Sequence, residues 1–367
     1  MAQKNPDYDS IVSELIELPY DTENRFLKLS FADPMLSDYS LITVLDSRVG
    51  DEANERLTTF ILRYPRYVHA EQMTHRVFSR NASSSRARSV KSTIRDVMEN
   101  PVRPLFTKNQ LGMGGRFVSE CEYEALVPVW LRGRDRAVAT ALEMLVSPER
   151  LAKYGNDSEI AAHWEEILED YYANGYRKDG EEVDGYLSAH KQNFNRALEP
   201  YSQFEVVLTS SYWENYLSLR VHADAQPEIR AIATLVAKAL ELSAPAKREF
   251  HLPFIAEADY PSASAWIDGE ITWEHDIKPV FLRSSAEGAQ ISYGDKSRAA
   301  RATASTSLGE RLFESRHLSP FEHPAIDREL YEKMAPLEAL ETAPESLRSN
   351  FDDSWVQLRP VLAGVTK

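Results

Sequence analysis

Only one cysteine, Cys121, stands in 367 residues. That excludes an intramolecular disulfide and any cysteine-rich zinc site, and it fits a reducing compartment. Long apolar runs are absent as well. None approaches the roughly eighteen residues of a membrane-spanning helix, and the start, MAQKNPDYDSIVSEL, has neither a basic nor an apolar leader region. The chain reads as soluble and cytoplasmic, with no membrane partner. Positive charge is also scarce: 42 Lys and Arg oppose 57 Asp and Glu, for a formal net charge of -15. Binding to a nucleic-acid polymer rests on accumulated cations and is not expected here.

What is present suffices for a core, since 43% hydrophobic content over this length allows one large domain or two ordinary ones. Against the acidic background, residues 74–89, THRVFSRNASSSRARS, hold Arg76, Arg80, Arg86 and Arg88 among serines. Between Arg63 and Arg103 the cations are opposed only by Glu71, Asp96 and Glu99. The excess acid lies elsewhere, in GNDSEIAAHWEEILEDYY and KDGEEVDG, where solvated helix faces and loops account for it. Two readings of the Ser/Arg stretch stand open. One is a phosphorylatable linker; the other is a phosphate cradle, with hydroxyls and backbone N–H groups in a tight turn and arginine forks closing on the anion.

The pattern predicts a strand over 57–64 (LTTFILRY) that stops at Pro65 and leads into a helix from Tyr67, carrying Val68, Gln72 and His75. Pro and Gly predict an irregular loop over 100–116; its GMGGR lacks dinucleotide-loop spacing. Helical periodicity covers 134–146, 158–173 with Ser158 as N-cap, and 184–197 with Tyr186, His190, Phe194 and Ala197 on one face. A strand follows at 204–209, then helices at 215–220 and 228–242. Mixed loop and strand, including PVFLRSS, is expected over 245–295, a helix near 307–316, and a polar C-terminal stretch ending in a loose tail. His317 and His323, six apart with no ligand-type carboxylate grouping, do not read as a metal pair.

Several separated motifs agree with one family. HAEQMTHRVFSRNASSSRA aligns without a gap to the signature of the flavin-dependent thymidylate synthases, the ThyX type: His75 and Arg76 match its second and third residues, Asn81 its Asn, Ser84 its Ser and Arg86 its closing Arg. Arg196 and Pro200 resemble the family's R-x-x-L-P element. NYLSLRVHADAQPEIR resembles the segment with a flavin-contacting Asn and a catalytic Arg, here Asn215 and Arg220. HLSPFEH at 317–323 resembles the flavin segment, with AAR at 299–301 before it. In the family that segment precedes the signature; here it follows, as in a circularly permuted, phage-associated branch. Thr74 stands in place of the first signature Arg and Ala82 in place of a Glu.

The resemblance implies an α/β (α+β) protein of ThyX-like fold, a mixed sheet flanked by helices, with one catalytic domain over 1–325, a helical insertion about 100–185, and a partly helical extension over 326–367. It implies reductive methylation of dUMP to dTMP with FAD, and with NADPH and methylenetetrahydrofolate as co-substrates, in a homotetramer of cytoplasmic, phage-associated setting. Arg220 would be catalytic. Glu71, Gln72, Ser84, Ser85, Arg86, Arg196 and Arg220 would hold the nucleotide; His75, Arg76, Asn81, Asn215, His317, Ser319 and Glu322 would contact FAD; no metal is implied. Such chemistry needs no thiol, and Cys121, flanked by Glu120 and Glu122, has none of the cationic neighbours that activate one. Thr74 and Ala82 leave open a flavin enzyme that methylates or hydroxymethylates another pyrimidine nucleotide such as dCMP, or a non-catalytic nucleotide- or flavin-binding homologue.

Overall fold

A computed structural model describes residues 15–19, 27–50, 55–85, 88–177, 179, 181–187, 189–293, 305–338, 340 and 350–364. The larger sheet is built from β1 (Leu15–Pro19), β2 (Leu27–Phe31), β3 (Ser40–Arg48), β4 (Arg56–Pro65), β5 (Ser79–Ala82), β6 (Gln203–Ser210) and β7 (Ala246–Lys247). Its order is β1-β2-β3-β4-β6-β5, all antiparallel, with β7 running parallel beside β3. This is the expected mixed sheet in an α+β arrangement. A smaller sheet joins β8 (Phe250–His251), β9 (Ala325–Asp327) and β10 (Trp355–Gln357) in the order β10-β9-β8.

β4 explains why the large sheet is central. Residues Leu57 to Leu62 are buried without a break, so both faces of the strand are covered. On one face Phe60, Leu62 and Tyr64 pack with Ile229, Ile232 and Val236 of α8 (Pro227–Leu242). On the other, Ile61 meets Val44, Val207 and Ile291. A separate helical core unites α2 (Val90–Glu99), α3 (Glu120–Glu143), α4 (Asp157–Ala162), α5 (Trp164–Asp170) and α6 (Lys191–Ala197) through Ile94, Leu142, Trp164, Leu168 and Phe194. A third core holds α9 (Lys278–Ala289), α10 (Ser305–Glu314), α11 (Arg328–Met334) and α12 (Leu358–Gly364) around Trp266, Trp273, Phe281 and Phe321.

Several expected elements differ. The helix placed at 134–146 begins at Glu120, because Ser119 and Glu122 form a reciprocal capping box, and it runs through Pro128 despite the backbone hydrogen bond that proline removes. Asn156 rather than Ser158 caps α4; its side chain accepts from the Ser158 and Glu159 amides. The helix placed at 184–197 is confined to α6, with His190 as its N-cap and Tyr186 in an isolated bridge to Val146. PVFLRSS is helical, not extended: Pro279 lies in the first turn of α9, and the buried Phe281, Leu282, Ser285 and Ala286 line one side. The loose tail is not found over 350–362, where Phe351, Trp355, Val361 and Leu362 are buried. The boundary expected after 325 falls inside β9.

Gly309 brings α10 against α9: a Cβ there would lie 2.8 Å from the Leu282 carbonyl carbon and 3.0 Å from its Cβ. Gly309→Ala is expected to overpack this contact, costing about 1–3 kcal/mol and lowering the Tm measured by thermal denaturation. An unchanged Tm would mean that the helices separate without penalty.

Candidate functional site

β4 ends at Pro65, and a short 3-10 turn over Arg66–Val68 leads into α1 (His69–Gln72). The Arg66 amide donates to the Ser202 carbonyl at 3.0 Å, tying the turn to the start of β6. The helix expected to reach His75 stops at Gln72. Arg80, from β5, donates to the carbonyls of Gln72 (3.1 Å) and His75 (3.2 Å), and the Thr74 hydroxyl donates to the Glu71 carbonyl at 2.7 Å. These donors take acceptors that further helical turns would have used.

α7 (Glu214–Arg220) delivers Arg220 onto this turn. Its Nε donates to His75 Nε2 at 2.9 Å and its Nη2 to Thr74 Oγ1 at 3.0 Å, while Nη1 lies 3.5 Å from Glu71 Oε2. A guanidinium only donates, so His75 Nε2 is the acceptor and the neutral ring carries its proton on Nδ1. Tyr216 stands edge-on to the His75 ring at 4.8 Å, and Phe78 stacks on it at 5.7 Å. Burial, then the charges of Arg220 and Arg80, lower the His75 pKa to about 4. His69, bonded through Nδ1 to the Tyr64 hydroxyl at 2.9 Å, is likewise lowered to about 4, by burial first and then by Arg80 and Arg66. Burial raises the Glu71 carboxyl while Arg220 opposes the rise.

Of the residues expected to hold a nucleotide, Glu71 and Arg220 therefore meet directly. Gln72 is fully buried beside them, its Oε1 accepting from the Tyr216 hydroxyl at 3.2 Å; its Nε2 has no partner among the described residues. Ser84 and Ser85 lie in the turn after β5, where the Arg88 amide donates to the Ser84 carbonyl and Asn195 Nδ2 to that of Ser85. Arg196 is exposed on the last turn of α6, and its neighbour Asn195 faces the serine turn instead. Arg86 lies outside the described residues, as does the AAR segment at 299–301.

Of the residues expected at the flavin, His75 lies in the arginine cluster, and Asn81 on β5 donates to the Gly288 carbonyl at 2.9 Å. Glu322 pairs with Arg359, and its carbonyl accepts from Gln357 Nε2, which also donates to Ser79 Oγ on β5. The 319–322 turn and the signature segment are thus bridged within one chain by Gln357, although Ser79 and Glu322 stand 243 positions apart in sequence. Arg76, Asn215, His317 and Ser319 are exposed, and their side chains have no partner among the described residues. His323 closes the segment at the end of a buried chain. Ser47 Oγ meets His251 Nδ1 (2.9 Å), His251 Nε2 meets Thr59 (2.8 Å), Thr59 meets Thr209 (2.7 Å), and Thr209 meets His323 Nδ1 (2.8 Å).

Sequence reasoning counted Arg80 and Arg88 only among the cations of the Ser/Arg stretch, without the part Arg80 plays in holding the turn, and gave no role to His69 or Arg66. Glu228 was missed as well. It is buried on the first turn of α8, accepts from the Leu105 amide at 3.2 Å, and is raised to about 7 by burial, with the Glu71 charge adding. Nothing local marks it, since an acid after a helix-starting Pro is ordinary. Among the described residues, no group of three or more His, Cys, Asp or Glu is placed to hold a metal ion, and no helix is long and apolar enough to cross a membrane. No protein-family model matches the chain, and no curated protein matches it.

Because the fold disfavours protons on His69 and His75, each contributes stability above the ordinary histidine pKa of about 6.5, which is lost as pH falls toward about 4. In an NMR pH titration both rings are expected to stay neutral to near pH 4. Removing the cation in Arg220→Ala should move the His75 midpoint upward and leave His69 in place. A His75 midpoint near 6.5 in the unaltered protein would contradict the buried, guanidinium-bound ring.

Proposed function

We propose that the chain is a flavin-dependent thymidylate-synthase-type enzyme that binds a pyrimidine nucleotide and methylates it at C5, converting dUMP to dTMP. One observation carries this reading. Arg220 bonds to His75 and Thr74 and faces Glu71, so two motifs that resemble separate parts of one family's active site converge on a single cluster.

The chemistry asks for charge placed where the base becomes electron-rich. Arg220 is largely withdrawn from water, and its guanidinium would lie against the carbonyl and N3 edge of the pyrimidine, stabilising negative charge as C5 becomes nucleophilic. His75, held neutral, orients that guanidinium without competing for the charge. The Tyr216 hydroxyl holds Gln72 beside it. Ser84 and Ser85 supply hydroxyls at the far end of β5 for the phosphate. The exposed Cys121, on the first turn of α3, takes no part in this cluster.

The residues assigned to FAD fit that group in kind. Arg76, Asn215, His317 and Ser319 offer uncommitted polar side chains to its phosphates, hydroxyls and ring edge, and Asn81 and Glu322 fix the backbone behind them. FAD, when bound, would supply the hydride and one-carbon chemistry with NADPH and methylenetetrahydrofolate as co-substrates. A site presented on an exposed edge suits completion by a second copy of the chain, in keeping with a homo-oligomer. Thr74 favours a second reading: its hydroxyl occupies one N–H of Arg220 at 3.0 Å, which alters the base edge that the guanidinium can meet. A different pyrimidine nucleotide such as dCMP, a hydroxymethyl product, or binding without turnover would follow from that change.

Anaerobically reduced, FAD-loaded protein is expected to reoxidise only when dUMP and methylenetetrahydrofolate are both present, with mass spectrometry identifying the product. Arg220→Ala should lower turnover by about 10²–10³-fold while FAD absorbance is retained. Full turnover in that variant, or no flavin binding by the unaltered protein, would reject the assignment.

A further inference from the structure

The turn that follows β5 borders a second polar site, away from Arg220. A cavity of about 20 Å³ lies among Arg66, Ser83, Ser85, Arg88, Asn195 and Glu199. It has room for one water-sized group, the size of a single phosphoryl oxygen. Asn195, only 2% exposed, shapes the turn: its Nδ2 donates to the carbonyls of Ser85 (2.8 Å) and Arg88 (3.3 Å). Its Oδ1 has no partner among the described residues. Ser83 is fixed from the other side, its amide donating to the Glu205 carbonyl at 2.9 Å and its Oγ accepting from the Glu205 amide at 3.4 Å. That leaves the Ser83 hydroxyl proton available to a ligand.

Each guanidinium at this cavity is held by a carboxylate from outside the turn. Arg66 Nη2 lies 3.0 Å from Glu199 Oε1, and Arg88 pairs with Asp96 of α2. Arg66 also lies over the Phe204 ring, 4.7 Å from its centre, which fixes its plane. Burial chiefly lowers the Arg88 pKa; the Glu205 charge opposes this, and the charges of Arg63 and Arg66 lower it further.

We propose that Arg66, Arg88, Ser83 and Ser85 form a cradle for a phosphomonoester, and that Glu199 and Asp96 act as a latch which the anion displaces. A dianion relieves the crowding of cations, and bidentate arginine–phosphate pairing is stronger than partly exposed ion pairs such as these. Arg88, released from Asp96, has five N–H donors, enough to serve the anion and the Asn195 Oδ1 together. Identifying the ester as a nucleotide rests on the function proposed above; the cradle itself rests on these residues.

The test is calorimetric titration of the purified full-length protein with dUMP, deoxyuridine and inorganic phosphate. Arg88→Ala should weaken dUMP binding about tenfold or more, and Arg88→Lys, which keeps the charge but loses the fork, should weaken it less. Asp96→Asn, by opening the latch, should tighten dUMP up to about fivefold. None of these changes should move deoxyuridine affinity. Weaker dUMP binding in Asp96→Asn, or unchanged binding in a folded Arg88→Ala, would overturn the cradle and leave the nucleotide reading intact, whereas equal affinity for dUMP and deoxyuridine would overturn both. Phosphate binding that follows the same variants without any preference for dUMP would support the cradle while rejecting the nucleotide.

Discussion

The buried chain from Ser47 through His251, Thr59 and Thr209 to His323 is the interaction on which the architecture turns. It crosses β3, β4 and β6, enters the small sheet at β8, and ends on the 319–323 segment. Each hydroxyl has one proton, so each link donates in one direction and the whole chain must run the same way. Both histidines must be neutral for this to work. An imidazolium at either place would present two donors and bury a charge, and burial accordingly drives His251 well below its ordinary pKa and His323 to about 3. Thr59 and Thr209 are fully buried polar side chains within the sheet. They stay soluble in that core only because each is paired.

From that tie follows the placement of everything at the edge strand. With His323 anchored on β6, the preceding turn lies against β5, where Gln357 bridges Ser79 and the Glu322 carbonyl and Asn81 reaches Gly288. β5 in turn projects Arg80 back onto α1, which ends that helix and presents Glu71, Thr74 and His75 to Arg220. The result is a margin that carries guanidinium groups, Arg66 and Arg88 at one cavity and Arg80 and Arg220 at the turn after α1, in a protein whose net charge is -15. Screening confines each charge to roughly a Debye length of about 8–10 Å. The global acidity therefore says little about this margin, whose own sign suits an anion.

How much of this could be read beforehand depends on how far the signal travels along the chain. β4 and β6 were legible because unbroken runs such as LTTFIL and FEVVLT state burial locally. α8 was legible from Ile229, Ile232 and Val236 recurring at helical spacing. α9 was misread because PVFLRSS is β-rich in composition, and its helicity comes from a buried face formed with α10 and the 319–322 turn. At the site, Arg220 and His75 were found through motif resemblance, whereas their contact depends on where α7 ends. The exchange of Arg196 for Asn195 at the serine turn is a matter of one helical position, about 100° of rotation. Arg88 was marked by the Ser/Arg stretch but Arg66 had no local mark, since their cavity draws on three separated stretches of chain.

Motif order poses a separate question, because the 317–323 segment follows the signature where the resembled family has it ahead. Contacts rather than connectivity decide whether such a segment can serve the same site. Here Glu322, Gln357 and Ser79 are joined through a single amide group, and His323 is bonded into the strand that pairs with β5. Both motifs are thus parts of one packed body within the chain. Moving the termini changes which loop is cut and leaves these contacts alone, provided the new ends lie outside the core. The polar links that hold the segment to β5 and β6 are what make either order of the chain compatible with one geometry.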